Sequence, residues 1–373
     1  MDDYDSLEET IRSQGVDAAF DLLIAKAREE RNYRDVFSAR VMQVRRRMRL
    51  PLIETEAALN LSGDDRAAYE DAVRDAARET GELFLKTGDI ASAWPYFRAI
   101  GEPAPVAAAI ENVPAATPVE ALIDIAFREQ VHPRRGFELI LEHRGICNAI
   151  TWFGSMPEGE SRRECLRLLV RTLYDELAGA LRSHIERVEG SAPEGTRVAE
   201  LIAGREWLFE GNNYHVDTTH VASVLRFSTE LDDEASMRLG LEIADYGTRL
   251  APMYHYRGDP PFEDPYADHG MYLRTLLGED VERGIAHFRE KAVAAGQEGY
   301  TFPAEILIDL LVRLDRFDDA ITASREFFSE TAAANSPSTL QLCQIAQDYP
   351  QLRRLAREQG DLLSFAAGVI QGS

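Results

Sequence analysis

Cysteine and long apolar runs are scarce in this chain of 373 residues, and each scarcity excludes a class of protein. The three cysteines, Cys147, Cys165 and Cys343, lie far apart without a CxxC pair, so we expect neither a disulfide framework nor a zinc knuckle. No apolar run approaches the length of a membrane span, and the N-terminus lacks the positive start and apolar stretch of a secretory signal. We therefore expect a cytoplasmic protein.

Positive charge is also in short supply. Lysine and arginine number 41 against 64 aspartates and glutamates, which gives a formal net charge of -23 and a pI of about 4.8. Such a chain repels nucleic acid and anionic membranes wherever no local basic patch overrides its field. We predict no nucleic-acid partner and no membrane partner. A phosphate-binding glycine loop, a nucleophilic serine elbow and a kinase signature are missing as well.

Helical periodicity dominates what is present. In one long segment the apolar residues recur every three to four positions, with arginine and glutamate on the other face: Leu166, Leu169, Val170, Leu173, Leu177, Leu181 and Val188. Alternating β-type runs and Asn-Gly or Asp-Gly hairpin turns are absent from the sequence. The pattern predicts an all-α fold.

Residues 77–105 have the spacing of two packed helices joined by a tight turn. The residues that carry this spacing are Gly81, Phe84, Gly88, Asp89, Ala93, Phe97 and Pro105. They resemble a tetratricopeptide repeat, a helix-turn-helix of 34 residues with Gly, Tyr, Ala, Phe and Pro at fixed offsets. We expect Gly81 and Ala93 to be small because the helices cross there, while aromatic rings fill the space beside the crossing.

The resemblance is partial. Ala77 and Thr80 stand where the family has Trp and Leu, and Pro95 lies inside the second helix, where it should bend the backbone. Weaker copies of the pattern cover residues 268–291 and residues 304–327. The chain is therefore similar to the tetratricopeptide family without being a regular array.

Several expectations follow from this resemblance. The fold would be an irregular right-handed α-α superhelix, a solenoid of antiparallel helix pairs. Residues 1–373 would form a single helical repeat domain, with sub-blocks 1–112, 113–250 and 251–373. Repeats of this family usually bind a protein or peptide on a concave face, so the resemblance implies a protein or peptide partner. We expect no cofactor for that role.

The stretch least like a repeat, residues 210–269, is rich in histidine and acidic residues. It holds four of the eight histidines, and with one aspartate they form the candidate ligand or metal set: His215, Asp217, His220, His255 and His269. Neutral imidazoles and carboxylates are the ligands of zinc, nickel and iron sites, so a divalent transition metal is one hypothesis. The competing interpretation is structural: Asp217 caps a helix and the histidines satisfy nearby turns.

Aromatic residues accompany these histidines. Trp207, Tyr214, Tyr254 and Tyr256 are candidates for lining a ligand groove, and the alternative is that they pack between helical layers. The proline-rich residues 251–266 cannot continue a helix, so they are predicted to form a loop next to these side chains.

Three functional hypotheses remain. The repeat pattern and the missing catalytic signatures favour a protein- or peptide-binding scaffold over an enzyme. An enzyme built on an α/α toroid of helix pairs would use the segment 210–269, although only three tryptophans are available for stacking on sugars. A metal-binding protein would use the same segment for its ion.

Overall fold

The computed structural model describes residues 2–53, 61, 63–113, 118–328 and 337–372. Throughout these residues the regular structure is helical and contains no strand, which confirms the all-α prediction. None of the described helices is long and apolar enough to cross a membrane. The chain divides into two compact units, Met1–Gly145 and Ile146–Ser373.

The first unit is a succession of helices, of which the first six pack one on the next. Their bounds are α1 (Asp3–Gln14), α2 (Val16–Glu29), α3 (Tyr33–Arg47), α4 (Gly63–Lys86), α5 (Ile90–Ile100), α6 (Ala104–Glu111) and α7 (Val119–Ile123), which continues as a π-helical turn (Asp124–Arg128). Helix α8 (Pro133–Phe153) contains a break at Gly145, whose φ of 76° is outside the helical range. The boundary between the two units falls at this break.

The pair α4 and α5 shows why the pattern at residues 77–105 produces a close helix pair. A Cβ on Gly81 would lie 2.6 Å from Cε2 of Phe97, so only glycine lets the ring of α5 approach α4 so closely. Phe97 and Ala93 are fully buried and Phe84 is nearly so. The packing that we expected from these residues is confirmed.

The second unit begins with a group of helices around a long central one. Its members are α9 (Glu160–Glu189), α10 (Val198–Ile202), α11 (Thr218–Phe227), α12 (Glu234–Thr248) and α13 (Pro265–Leu276). Short 3₁₀ helices cover Glu206–Asn212, Ser228–Glu230 and Pro252–Tyr254. Helices α10, α11 and α12 contact α9, whose apolar stripe is buried from Leu166 to Ile185.

The rest of the second unit is again a succession of packed helices. These are α14 (Val281–Gln297), α15 (Phe302–Arg313), α16 (Phe317–Phe327), α17 (Thr339–Ile345), α18 (Tyr349–Gln359) and α19 (Leu362–Gln371). Successive members contact each other, and their buried faces form one apolar core with Phe262 and Tyr272. The helix pairs predicted over residues 268–291 and 304–327 are present as α13/α14 and α15/α16.

Sequential packing of this kind is compatible with a helical repeat. A single domain with sub-blocks 1–112, 113–250 and 251–373 stays a prediction. The boundary between the two compact units lies inside the second of those blocks.

Candidate functional site

His215 lies just before α11 and forms a chain of hydrogen bonds with helices α9 and α12. Its backbone N–H donates to the hydroxyl of Tyr246 (2.9 Å), and that hydroxyl lies 3.1 Å from Nδ1 of the same histidine. Nε2 of His215 lies 3.0 Å from Nδ1 of His184, so both ring nitrogens of His215 have a hydrogen-bond partner in either neutral tautomer. The pKa of His215 is lowered to about 4, mainly by burial and to a smaller extent by the neighbouring His184.

Asp217 and His220 are directed elsewhere. The carboxylate of Asp217 caps α11, as predicted, by accepting hydrogen bonds from Oγ1 (2.6 Å) and the backbone N–H (2.8 Å) of Thr219. These bonds hold the pKa of Asp217 below its usual value. His220, in the first turn of α11, interacts electrostatically with Glu176 of α9.

His255 and His269 occupy a third region, at the start of α13. Nε2 of His255 lies 3.1 Å from the carbonyl oxygen of Leu250, and its Nδ1 is 3.9 Å from the carboxylate of Asp264. Nδ1 of His269 donates to the carbonyl oxygen of Pro265 at 2.7 Å. The ring of Phe262 stacks on the His269 imidazole with 4.1 Å between centroids.

The candidate ligand residues thus contact separate partners instead of one common point. Among the residues that the structure describes, no group of three or more His, Cys, Asp or Glu is arranged to hold a metal ion. A divalent transition metal stays a prediction for which the described residues supply no ligand cluster.

The four groove candidates are also divided. Tyr214 and Tyr254 meet edge to face, with 5.3 Å between ring centroids, and Trp207 meets the ring of His184 in the same way. Tyr256 has a different position, because it lines a cavity and its hydroxyl lies 2.8 Å from Oγ1 of Thr218.

The loop that carries Tyr256 is folded tightly on itself. The N–H of Gly258 donates to the carbonyl oxygen of Glu263 (3.0 Å), and the N–H of Phe262 donates to that of Asp259 (2.8 Å). A Cβ on Gly258 would lie 2.2 Å from the carbonyl oxygen of Phe262, so this turn requires glycine. The loop ends at Asp264, whose carboxylate caps α13.

A buried ionic cluster anchors the end of this loop to α13 and α14. The side chain of Asp268 accepts hydrogen bonds from Lys291 (3.0 Å) and from Nε2 of His287 (2.8 Å). Lys291 also contacts the carboxylate of Glu263. Burial opposes a charged Lys291, but the hydrogen bonds to Glu263 and Asp268 outweigh it and raise the lysine pKa. The cluster therefore ties Glu263, and with it the turn, to the helices.

Between this loop, α11 and the start of α15 lies a cavity of about 310 Å³. Its lining is mainly apolar and includes Ala222, Phe262, Pro265, Phe302 and Ile306. A volume of this size is at the small end of the range for ligand pockets. Its polar lining residues are Ser223, Arg226, Thr229, Tyr256, Arg257, Asp259 and His269.

His269 supplies the most unusual of these polar groups. The residue lines the cavity and is only 3% exposed, and its Nε2 is buried without a hydrogen-bond partner among the described residues. Because Nδ1 carries the hydrogen donated to Pro265, Nε2 presents a lone pair. Burial lowers the pKa of His269 to about 4, so the ring is neutral near neutral pH. His269 therefore carries a buried hydrogen-bond acceptor that no described residue uses.

Two arginines add positive charge to the same lining. Arg226 of α11 and Arg257 of the loop are both exposed, and neither forms an ion pair with any described residue. The guanidinium of Arg226 lies 5.2 Å from the ring centroid of Phe227. Asp259 contributes one carboxylate to the lining. In a chain with a net charge of -23, these two arginines give the cavity lining a local excess of positive charge.

Sequence reasoning selected His269 and Tyr256 but missed Arg226, Arg257 and the apolar wall. The sequence did indicate the loop, because the Gly-Asp-Pro-Pro-Phe stretch is typical of a turn that constrains the backbone of the residues on either side of it. The contribution of Ile306 had no local signal, since that residue reaches the cavity from α15.

Comparisons with protein-family models, with curated proteins and with solved structures give no match for this chain. The interpretation of the site therefore depends on its own chemistry.

Proposed function

We propose that this chain is a tetratricopeptide-like helical-repeat protein that binds a segment of a partner protein, and that the cavity beside His269 holds one side chain of that segment. The observation that carries the proposal is the cavity itself, which combines apolar walls with two arginines that have no ion-pair partner among the described residues. Binding sites for specific ligands combine a mainly apolar surface with a few polar groups that fix orientation.

The helical architecture supports a binding role. Consecutive helices pack on one another in both units, and the close α4/α5 pair matches the residue pattern that resembles a tetratricopeptide repeat. Proteins built from stacked helix pairs present extended surfaces to peptides and proteins. This support comes from analogy of fold, and the cavity adds the chemical argument.

The two alternatives receive less support from the site. A metal-binding protein requires several ligands around one ion, whereas the histidines of residues 210–269 contact separate partners. A toroid enzyme requires a nucleophile or an acid that acts with a base. Within the described lining of the cavity, no hydroxyl is hydrogen-bonded to His269.

Selection of random peptides displayed on phage against the full-length chain tests the proposal. We expect a recurring motif whose affinity falls at least about tenfold when Ala222→Trp fills the cavity. The matched control is Ala267→Trp, because Ala267 is exposed on the neighbouring helix α13 and does not line the cavity. Melting temperatures of both variants verify that they fold.

A second pair of variants tests the charge at the site. Arg226→Gln combined with Arg257→Gln is expected to weaken the selected peptides, whereas Arg182→Gln combined with Arg187→Gln changes the net charge equally on the exposed part of α9. Failure to select any motif, or equal affinity for all variants, would contradict peptide binding at this cavity.

A further inference from the structure

Helix α19 presents an apolar stripe to solvent. Leu362, Leu363 and Ile370 are 77%, 84% and 73% exposed, and Val369 between them is exposed as well. Because an α-helix turns once every 3.6 residues, these four positions lie on one face of α19. The opposite face packs on α18, where a Cβ on the buried Gly368 would meet two side chains of that helix. A stripe of this kind is typical of a surface that a partner covers.

Positive charge lies beside this stripe, on α18. Arg353, Arg354 and Arg357 line a groove between α18 and α19. None of the three forms an ion pair within the described part of the chain, and Glu358, the one carboxylate in the same lining, lies 3.9 Å from Arg325. The stripe and these arginines together, called the α18/α19 surface below, fit an apolar partner surface with acidic groups around it.

The first unit contains a groove whose apolar character matches that of the stripe. It lies between α1, α2 and α3 and has a volume of about 580 Å³. The apolar side chains that line it are Leu7, Leu22, Leu23, Ala27, Ala39 and Met42. Leu22 and Leu23 are each more than one third exposed, so this apolar lining is open to a partner.

Acidic side chains give the same groove the opposite charge to α18. Asp3, Glu30 and Asp35 line it together with a single lysine, Lys26. Lys26 contacts Asp3 and lies 3.6 Å from the carboxylate of Glu30, whereas Asp35 forms no ion pair with any residue that the structure describes. The groove therefore has an excess of negative charge. The cavity beside α11 differs, because it has arginines in its lining and would repel those of α18.

We propose that two copies of this chain associate through these two different surfaces, with the α18/α19 surface of one copy docked in the α1/α2/α3 groove of the other. The apolar stripe would pack on the groove leucines, and the α18 arginines would face the groove carboxylates. Both copies carry a net charge of -23, but charges separated by more than about 8 Å are screened at physiological ionic strength. The facing groups therefore dominate the encounter. The proposal does not depend on the cavity beside His269.

Sedimentation velocity of the full chain tests the association. We expect the weight-average sedimentation coefficient to rise with protein concentration between ~1 and ~200 μM at physiological salt. Arg354→Glu combined with Arg357→Glu, the surface variant, should weaken association at least about tenfold, since it places carboxylates opposite carboxylates. The matched control is Arg182→Glu combined with Arg187→Glu, which changes the net charge equally on the exposed part of α9.

Charge reversal of the groove supplies the complementary test. Glu30→Lys combined with Asp35→Lys, the groove variant, should also weaken association at least about tenfold. Its net charge is less negative than that of the unaltered chain, so general repulsion between copies cannot explain such a loss. An equal mixture of the surface variant and the groove variant should associate again, because opposite charges then face each other.

The apolar stripe needs a separate pair of variants. Leu363→Ser combined with Ile370→Ser removes two exposed apolar side chains from α19 and should weaken association at least about tenfold. Val188→Ser combined with Val293→Ser is the control, because these valines are exposed on α9 and α14 and should leave association unchanged. Melting temperatures verify the folding of each variant, and the concentration dependence of the unaltered chain requires no variant.

Several results would overturn the proposal. These are a chain that stays monomeric at every concentration, an association that survives in the groove variant, and a mixture of the surface and groove variants that fails to associate. Vesicles of phosphatidylserine and phosphatidylcholine test a lipid surface as the occupant instead. A monomeric chain that binds them, and loses binding in Leu363→Ser combined with Ile370→Ser, would assign the stripe to a membrane. Each of these results leaves peptide binding at the cavity, tested by Ala222→Trp, unaffected.

Discussion

His215 and His269 are both withdrawn from water in the second unit, and burial lowers the pKa of each to about 4. Their ring nitrogens nevertheless differ. Both ring nitrogens of His215 have partners, the Tyr246 hydroxyl and His184. His269 uses Nδ1 on the carbonyl oxygen of Pro265, and its Nε2 has no described partner.

The difference shows that a lowered pKa does not by itself distinguish a structural histidine from a binding one. Burial produces the shift in both residues, whatever the second nitrogen does. The hydrogen bonds make the distinction, because a histidine whose two ring nitrogens both have partners offers no free nitrogen to a ligand. By this criterion His215 is a structural residue that connects α9 to α12, whereas His269 keeps one ring nitrogen without a described partner. Variants of these residues and of their neighbours test that difference.

Loss of Lys291 should have the largest effect, because Lys291 compensates the buried carboxylate of Asp268 next to His269. Lys291→Met is expected to lower the free energy of unfolding by about 3 to 5 kcal/mol, since it leaves the buried carboxylate of Asp268 with only His287 and the backbone N–H of Asp264 as described partners. Urea unfolding of the full chain measures the change. The matched control is Arg289→Met on the same helix, whose more exposed pair with Glu326 should contribute about 1 kcal/mol or less. Equal losses in both variants would contradict the anchoring role of Lys291.

Acidification should destabilise the protein through these same histidines. As the pH falls from 6.5 towards 4, the unfolded chain binds a proton at His269 but the folded chain does not. The free energy of unfolding therefore decreases across this window, by about 3 kcal/mol for His269 at pH 4, and the His269 contribution changes little below it. His215, whose pKa is lowered to the same value, adds a contribution of the same sign. Urea unfolding against pH should show a shallower slope in His269→Phe, and an unchanged slope would contradict the prediction.

Removal of the hydroxyl of Tyr246 should break two of the hydrogen bonds that His215 forms. Tyr246→Phe leaves the backbone N–H and Nδ1 of His215 without their partner, so we expect a loss of about 2 kcal/mol in urea unfolding. Tyr254→Phe is the control variant, because the hydroxyl of Tyr254 donates to the carbonyl oxygen of Asn212 at the surface. That change should stay below about 0.5 kcal/mol. A harmless Tyr246→Phe would mean that the bonds at His215 add no stability.

Part of the fold was predictable because its causes are local. The small residue at Gly81 and the ring of Phe97 lie at the spacing that a close helix pair requires, and the structure confirms their contact. The cap at Asp217 was predictable for the same reason, since an N-cap bonds to residues two or three positions ahead.

The site was predictable only in its individual members. His269 and Tyr256 were selected as candidates, but the metal hypothesis would have required the histidines to share one ion, and the structural alternative did not say which nitrogen would have a partner. Which nitrogen of His269 remains unused depends on its bond to Pro265 and on Phe262, whose ring covers one face of the imidazole. The partner that a ring nitrogen finds is a tertiary property, and hydrophobic periodicity carries no information about it.

The smallest expected effect compares the two histidines directly. His269→Phe removes an acceptor without a partner and keeps an aromatic ring against Phe262, beside a cavity with room for the added atoms. The carbonyl oxygen of Pro265 still accepts the helical hydrogen bond from the backbone N–H of residue 269. Loss of the imidazole hydrogen bond therefore costs little stability there. We expect a stability change within about 1 kcal/mol at neutral pH. His215→Phe, which deprives Tyr246 and His184 of their partner, should lose about 2 kcal/mol or more. Urea unfolding of both variants makes the test, and a His269→Phe loss as large as that of His215→Phe would assign His269 a structural role after all.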